Sequence, residues 1–143
     1  MKSEIETLQP EAVWRHFSAI CKIPRPSGHL EKITQYILDF GKNLGLETVL
    51  DEAGNVLIRK PATPGMENRK PVVLQGHMDM VPQKNADKVH NFETDPITSY
   101  IDGEWVTANG TTLGADNGIG ISSILAILES ETLKHGPLEA LFT

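Results

Sequence analysis

The chain has 143 residues, 39% of them apolar and 22% charged, which suits one ordinary domain with a packed core and leaves no low-complexity tract or internal repeat. Its net charge of −6 comes with lysines and arginines scattered along the chain, which excludes the basic patch that binding to nucleic acid requires. The opening residues MKSEIETLQPE are too acidic for a signal peptide and no run of about 18 apolar residues follows, so a cytoplasmic protein with no membrane partner is expected.

In chain order, Val13, Phe17, Ile20 and Cys21 recur at helical spacing after Pro10, which predicts a first amphipathic helix. Cys21, the single cysteine, falls on that apolar stripe and reads as a small core hydrophobe. IPRPSG stops the helix. Ser27 or Gly28 can cap a second one, with Leu30, Ile33, Ile37 and Leu44 on its apolar side and Gly45 closing it. LETVL and NVLIRK then predict a hairpin across Asp51 to Gly54, and PATPGMENRKP a loop. The contiguous apolar run of VVLQG predicts a strand covered on both faces. Residues Gln83 to Pro96 read as an irregular excursion, and SYIDGEWVTA as a second hairpin turning at Asp102-Gly103. A glycine-rich turn leads into a helix presenting Ile121, Ile124, Leu125 and Leu128, with Lys134 and His135 in its last turn and Gly136 as its cap. LEALF closes the series as a strand. The order αα, ββ, β, ββ, α, β predicts an α/β fold, a mixed β-sheet with helices on both faces.

Chemistry gathers at two places. In VVLQGHMDMVP, His77 and Asp79 follow a core strand; residues two apart on an extended chain share a face, with Cα atoms roughly 7 Å apart. Either both bind one metal, or His77 binds through one ring nitrogen while Asp79 accepts a hydrogen bond from the other. The plainer alternative is a loop histidine beside a solvated aspartate. In GADNGIG, three glycines surround Asp116, so the backbone passes close to something or takes unusual dihedrals; a helix N-cap is the plainer role for this acid. The glycine spacing fits neither dinucleotide nor P-loop patterns, no G-x-S-x-G occurs, and Cys21 lacks a base partner. The remaining histidines, His16, His29, His90 and His135, read as helix-end or surface residues, and Trp14 and Trp105 as packing residues.

GHMDMVP followed by TLGADNGIG, together with FETDPI, YIDGEWVTANG and LKHGPLEALFT, resembles the co-catalytic metallopeptidase family of carnosinases, aminoacylases and bacterial tripeptidases. Within that family the likeness is strongest to the branch that hydrolyses Xaa-His dipeptides. The resemblance implies that residues 1–143 are the amino-terminal part of a zinc-peptidase catalytic domain, with the lid and dimerisation domain outside it and a homodimeric parent. It makes His77 a ligand of one zinc, Asp116 the carboxylate bridging two, and Asp79 the catalytic-site residue that orients His77, with a cis peptide at Asp116–Asn117. Manganese or cobalt would suit the same donors. The general-base glutamate and the other ligands would lie beyond the strand LEALF, so the 143-residue chain alone is expected to be inactive. Two other readings remain: a tripeptidase or N-acyl amino acid hydrolase of the same family, or a non-catalytic metal- or partner-binding module.

Overall fold

The computed structural model describes residues 2–143. A 3-10 turn over Glu4–Thr7 precedes helix α1 (Glu11–Cys21), which buries Phe17, Ile20 and Cys21 at the predicted spacing. Helix α2 (Glu31–Asn43) buries Ile33, Ile37 and Leu38 and gives way to Gly45 in the left-handed conformation, φ +70°. Neither Ser27 nor Gly28 caps it: the helix begins after Leu30, whose side chain has no hydrogen-bonding atom, and the Ser27 hydroxyl donates to Asp79. Leu44 is also out of the apolar stripe, at 39% exposure.

Strands β1 (Glu47–Leu50), β2 (Val56–Lys60), β3 (Val72–Gly76) and β6 (Leu138–Phe142) form one sheet in the order β1-β2-β6-β3. Strand β6 runs antiparallel to β2 and parallel to β3, so the sheet is mixed as expected. Strands β4 (Ser99–Asp102) and β5 (Trp105–Ala108) make a separate two-stranded hairpin. The excursion before that hairpin contains neither helix nor strand.

The register aligns Val56, Phe142 and Gly76 across three strands, and likewise Ile58, Ala140 and Leu74. Directly paired residues share a face, and this one carries the core: Val56, Ile58, Ala140 and Phe142 are fully buried. Helix α2 reaches it at Gly41 against Ile58, and helix α3 (Ala115–Glu129) at Ile121 and Ile124 against Gly76. Both helices therefore lie on one side. Among the described residues no helix covers the opposite face, where Val73 is 58% exposed, so the two-sided cover predicted for VVLQG and for the sheet is one-sided here.

A second apolar cluster joins Ile5, Phe17, Cys21, Met80, Ile97 and Ala108, tying the excursion and the small hairpin to α1. Trp14 packs there, edge-on to Phe17 at 6.0 Å. Trp105, expected to pack, is 76% exposed. Helix α3 buries Ile121, Ile124, Leu125 and Leu128 but ends at Glu129, six residues before His135. Ser130 is extended there, and Lys60 Nζ donates to the carbonyls of Ile127 and Ser130, satisfying helix-end acceptors that Lys134 and Gly136 were expected to serve.

Candidate metal centre

Parallel pairing carries β3 and β6 past their formal ends: the Thr143 amide donates to Gly76 O and the Met78 amide to Thr143 O. His77 thus leaves the sheet from a fixed backbone. Met78, between the two titratable residues, is fully buried, so His77 and Asp79 turn the other way.

His77 Nδ1 donates to Asp79 Oδ1 at 2.9 Å, and Nε2 lies 2.9 Å from Asp116 Oδ1. Three residues named from the sequence are therefore one cluster, although Asp116 is 39 positions from His77. The imidazole is 40% exposed, Asp79 is 34% exposed and the Asp116 carboxylate is 96% exposed. The cluster is open to solvent on the side of Asp116. Burial pulls the His77 pKa down, but the hydrogen bonds to Asp116 and Asp79 outweigh it and leave the pKa raised. Asp79 goes the other way, held below the usual carboxylate range first by the Ser27 hydroxyl, against burial, and then by His77.

Asp116 is no N-cap. Gly114 precedes the helix with φ +76°, Asp116 and Asn117 have non-helical dihedrals, and the peptide between them is cis. The Asp116 carboxylate makes no cap bond to the helix amides and meets His77 Nε2 instead. The glycines have specific neighbours: a Cβ on Gly120 would stand 2.1 Å from Asn117 Oδ1, and one on Gly118 would stand 2.7 Å from Arg25 Nη2. Sequence reasoning anticipated a close approach at these glycines. It missed that Arg25 approaches Gly114 and Gly118 and that Ser27 binds Asp79, because both belong to IPRPSG, a segment read as a helix stop, and sit 52 or more positions from their partners.

The other histidines stay apart from this cluster. His16 is 3% exposed, with Nε2 3.0 Å from Glu129 Oε1 on α3. Its role is interior packing rather than helix capping, and burial lowers its pKa despite Glu129. His135 Nδ1 donates to Gly136 O at 2.7 Å. His29 and His90 line an open pocket of about 430 Å³ that Ser27 and Glu93 also border. Cys21 is buried, and burial raises its thiol to about 11, which rules it out as a nucleophile near neutral pH.

An imidazole nitrogen and a carboxylate oxygen converging on one point are donors of the kind that zinc takes. The bond from Nδ1 to Asp79 turns Nε2 toward Asp116, the arrangement that lets a ligand histidine be steadied from behind. Among the described residues no group of three or more His, Cys, Asp or Glu side chains is placed to hold a cation, since Asp79 is engaged by Ser27 and by Nδ1. The residues fit part of a metal site.

No protein-family model matches the chain. It is 60% identical to the cytosol non-specific dipeptidase of Escherichia coli over 141 residues, which is 99% of this chain and 29% of that protein. It is likewise 60% identical to the aminoacylhistidine dipeptidase of Vibrio alginolyticus, whose crystal structure it matches with a TM-score of 0.97 over 99% of this chain and 29% of that one. A tripeptidase structure from Staphylococcus aureus shares the fold at 20% identity, with a TM-score of 0.74 over 93% of this chain and 36% of that one. The chain spans less than a third of the length of the two dipeptidases. Identity of 60% across nearly every residue, on a backbone that superimposes this closely, makes the chain a homologue of the corresponding part of these dipeptidases.

Proposed function

We propose that the chain is the amino-terminal part of a metal-dependent cytoplasmic dipeptidase that hydrolyses Xaa-His dipeptides. One observation carries this reading: in a sequence 60% identical to two dipeptidases, His77 Nε2 and Asp116 Oδ1 meet at 2.9 Å.

His77 and Asp116 would hold the metal, zinc first, with manganese or cobalt acceptable to the same donors. A bound divalent ion of this kind supplies Lewis acidity, polarising a peptide carbonyl and bringing a water toward a neutral pKa. Asp79 holds one proton of His77 on Nδ1, so Nε2, which now donates to Asp116, is the nitrogen that would turn to a metal. Ser27 holds the second oxygen of Asp79, so the aspartate cannot turn to the metal itself. The Nε2 proton now shared with Asp116 must leave when a cation arrives, so binding releases protons and strengthens as pH rises. The general-base glutamate, the other ligands, a second zinc, and the lid through which the parent dimerises would come from residues outside these 143. By itself the 143-residue chain is therefore expected to give no turnover.

The two relatives' names diverge on selectivity, one being non-specific and the other directed to aminoacyl-histidine. Hydrolysis of β-alanyl-histidine and of dipeptides without histidine, by the chain in its full reading frame, decides between them. The expected result is faster cleavage of Xaa-His, abolished by a chelator and restored by zinc. Turnover insensitive to chelator overturns the metal, and equal rates on all dipeptides overturn the Xaa-His preference.

A further inference from the structure

Arg25 is 1% exposed, yet among the described residues it makes no ion pair within 4 Å. Its guanidinium donates instead to three backbone carbonyls: Nη1 to Met78 O at 3.0 Å and Asp79 O at 3.2 Å, and Nη2 to Gly114 O at 2.7 Å. Met78 and Asp79 belong to the loop that bears His77. Gly114 is the residue before α3, two positions from Asp116. One rigid planar fork thus links the two loops that bring the imidazole and the carboxylate together.

The surroundings are shaped to this group. A Cβ on Gly114 would lie 2.6 Å from Nη2 and one on Gly118 2.7 Å, so two of the three glycines around Asp116 leave room for the guanidinium. The backbone of Arg25 is fastened to the same loop, its carbonyl accepting from the Met80 amide, while the Ser27 amide donates to Met80 O. A space-filling role would be met at lower cost by Leu or Met, because a buried cation must recover its hydration through directed hydrogen bonds. Only a fork of donors fixes the spacing of two separate backbones.

We propose that Arg25 is a positioning residue, which sets the separation of His77 and Asp116 by bridging the His77–Asp79 loop to the start of α3. This rests on the reading that His77 and Asp116 share a metal. Loss of the bridge frees the two loops to drift, and donors that drift bind a cation more weakly without either being removed.

The test uses the chain in its full reading frame, stripped of metal and titrated with Co²⁺, with the visible absorption of the bound ion as the readout. Arg25→Lys keeps the charge but cannot span three carbonyls, and it is expected to weaken Co²⁺ binding about tenfold or more, the usual range for groups that orient ligands. An Ile58 variant chosen to lose the same melting temperature, far from the cluster in β2, is expected to bind Co²⁺ as the parent does. Equal affinities for the Arg25 and Ile58 variants overturn the proposal while leaving the metal reading intact. His77→Ala is the separate control: if it binds Co²⁺ like the parent, the metal reading fails and the proposal with it. Should Arg25 variants not fold, a crystal structure of the Co²⁺-bound parent decides, since the bonds from Arg25 to Met78, Asp79 and Gly114 must persist there and their absence overturns the role.

Discussion

Both carboxylate oxygens of Asp79 are engaged, one by His77 Nδ1 and the other by the Ser27 hydroxyl, so this acid acts on its neighbour rather than on solvent. Ser27→Ala removes one of these partners. It is expected to raise the Asp79 pKa toward its ordinary value and to leave the His77 ring less firmly oriented, both visible by NMR titration of the two side chains. The histidines predict opposite effects of pH on stability. His16 is buried and has a folded-state pKa below its ordinary value, so just under pH 6.5 the unfolded chain binds more protons and stability falls as pH drops. His77, with a raised folded-state pKa, stabilises the fold below its ordinary value, and that contribution is lost as pH rises through the raised pKa. Denaturant midpoints between pH 5 and 8 are therefore expected to show a shallower acid-side fall in His16→Asn and a steeper one in His77→Asn. Parallel slopes in all three proteins contradict both assignments. The candidates themselves were legible: an apolar strand ending in histidine and aspartate, and an acid among glycines, stand out by residue type. Their partners Ser27 and Arg25 were not, because nothing local to IPRPSG records a contact made more than 50 positions away.

At the scale of elements, the buried stripes of the helices followed their periodicity, while the start of α2 and the end of α3 did not fall where the sequence put them. Helix α3 illustrates why. The apolar spacing from Ile121 to Leu128 is visible in sequence because burial imposes it, whereas the stop at Glu129 coincides with contacts from a lysine on β2. Lys60 Nζ donates to Ile127 O at 3.2 Å and to Ser130 O at 2.7 Å, placing positive charge at the carbonyl end of the helix. Lys60→Met keeps the aliphatic stem and removes the donor, and a loss of about 1 kcal/mol in unfolding free energy is expected from chemical denaturation. An unchanged midpoint means that water serves those carbonyls equally well. The start of α2 also differs: Ser27 has the residue type of a cap, but the helix begins only after Leu30 and the Ser27 hydroxyl binds Asp79.

For the whole molecule the sheet order β1-β2-β6-β3 puts β3 at an edge, paired only with β6 among the described residues, with Val72 48% and Val73 58% exposed. An unpaired apolar edge is a template for association. The isolated 143-residue chain is expected to self-associate at high concentration, and Val73→Lys to reduce this in sedimentation velocity; identical sedimentation of the two rules out that edge. The sequence by itself determined the order and kind of the elements, the buried stripes of the helices and which titratable residues stand out by type, because periodicity and residue type are properties of neighbours in the chain. The tertiary structure alone decided that β6 inserts between β2 and β3, that the helices share one face, and that His77, Asp79 and Asp116 meet with Arg25 and Ser27 behind them. Those outcomes depend on hydrogen bonds and packing between segments far apart in sequence, and no local pattern encodes which distant group will take a given donor.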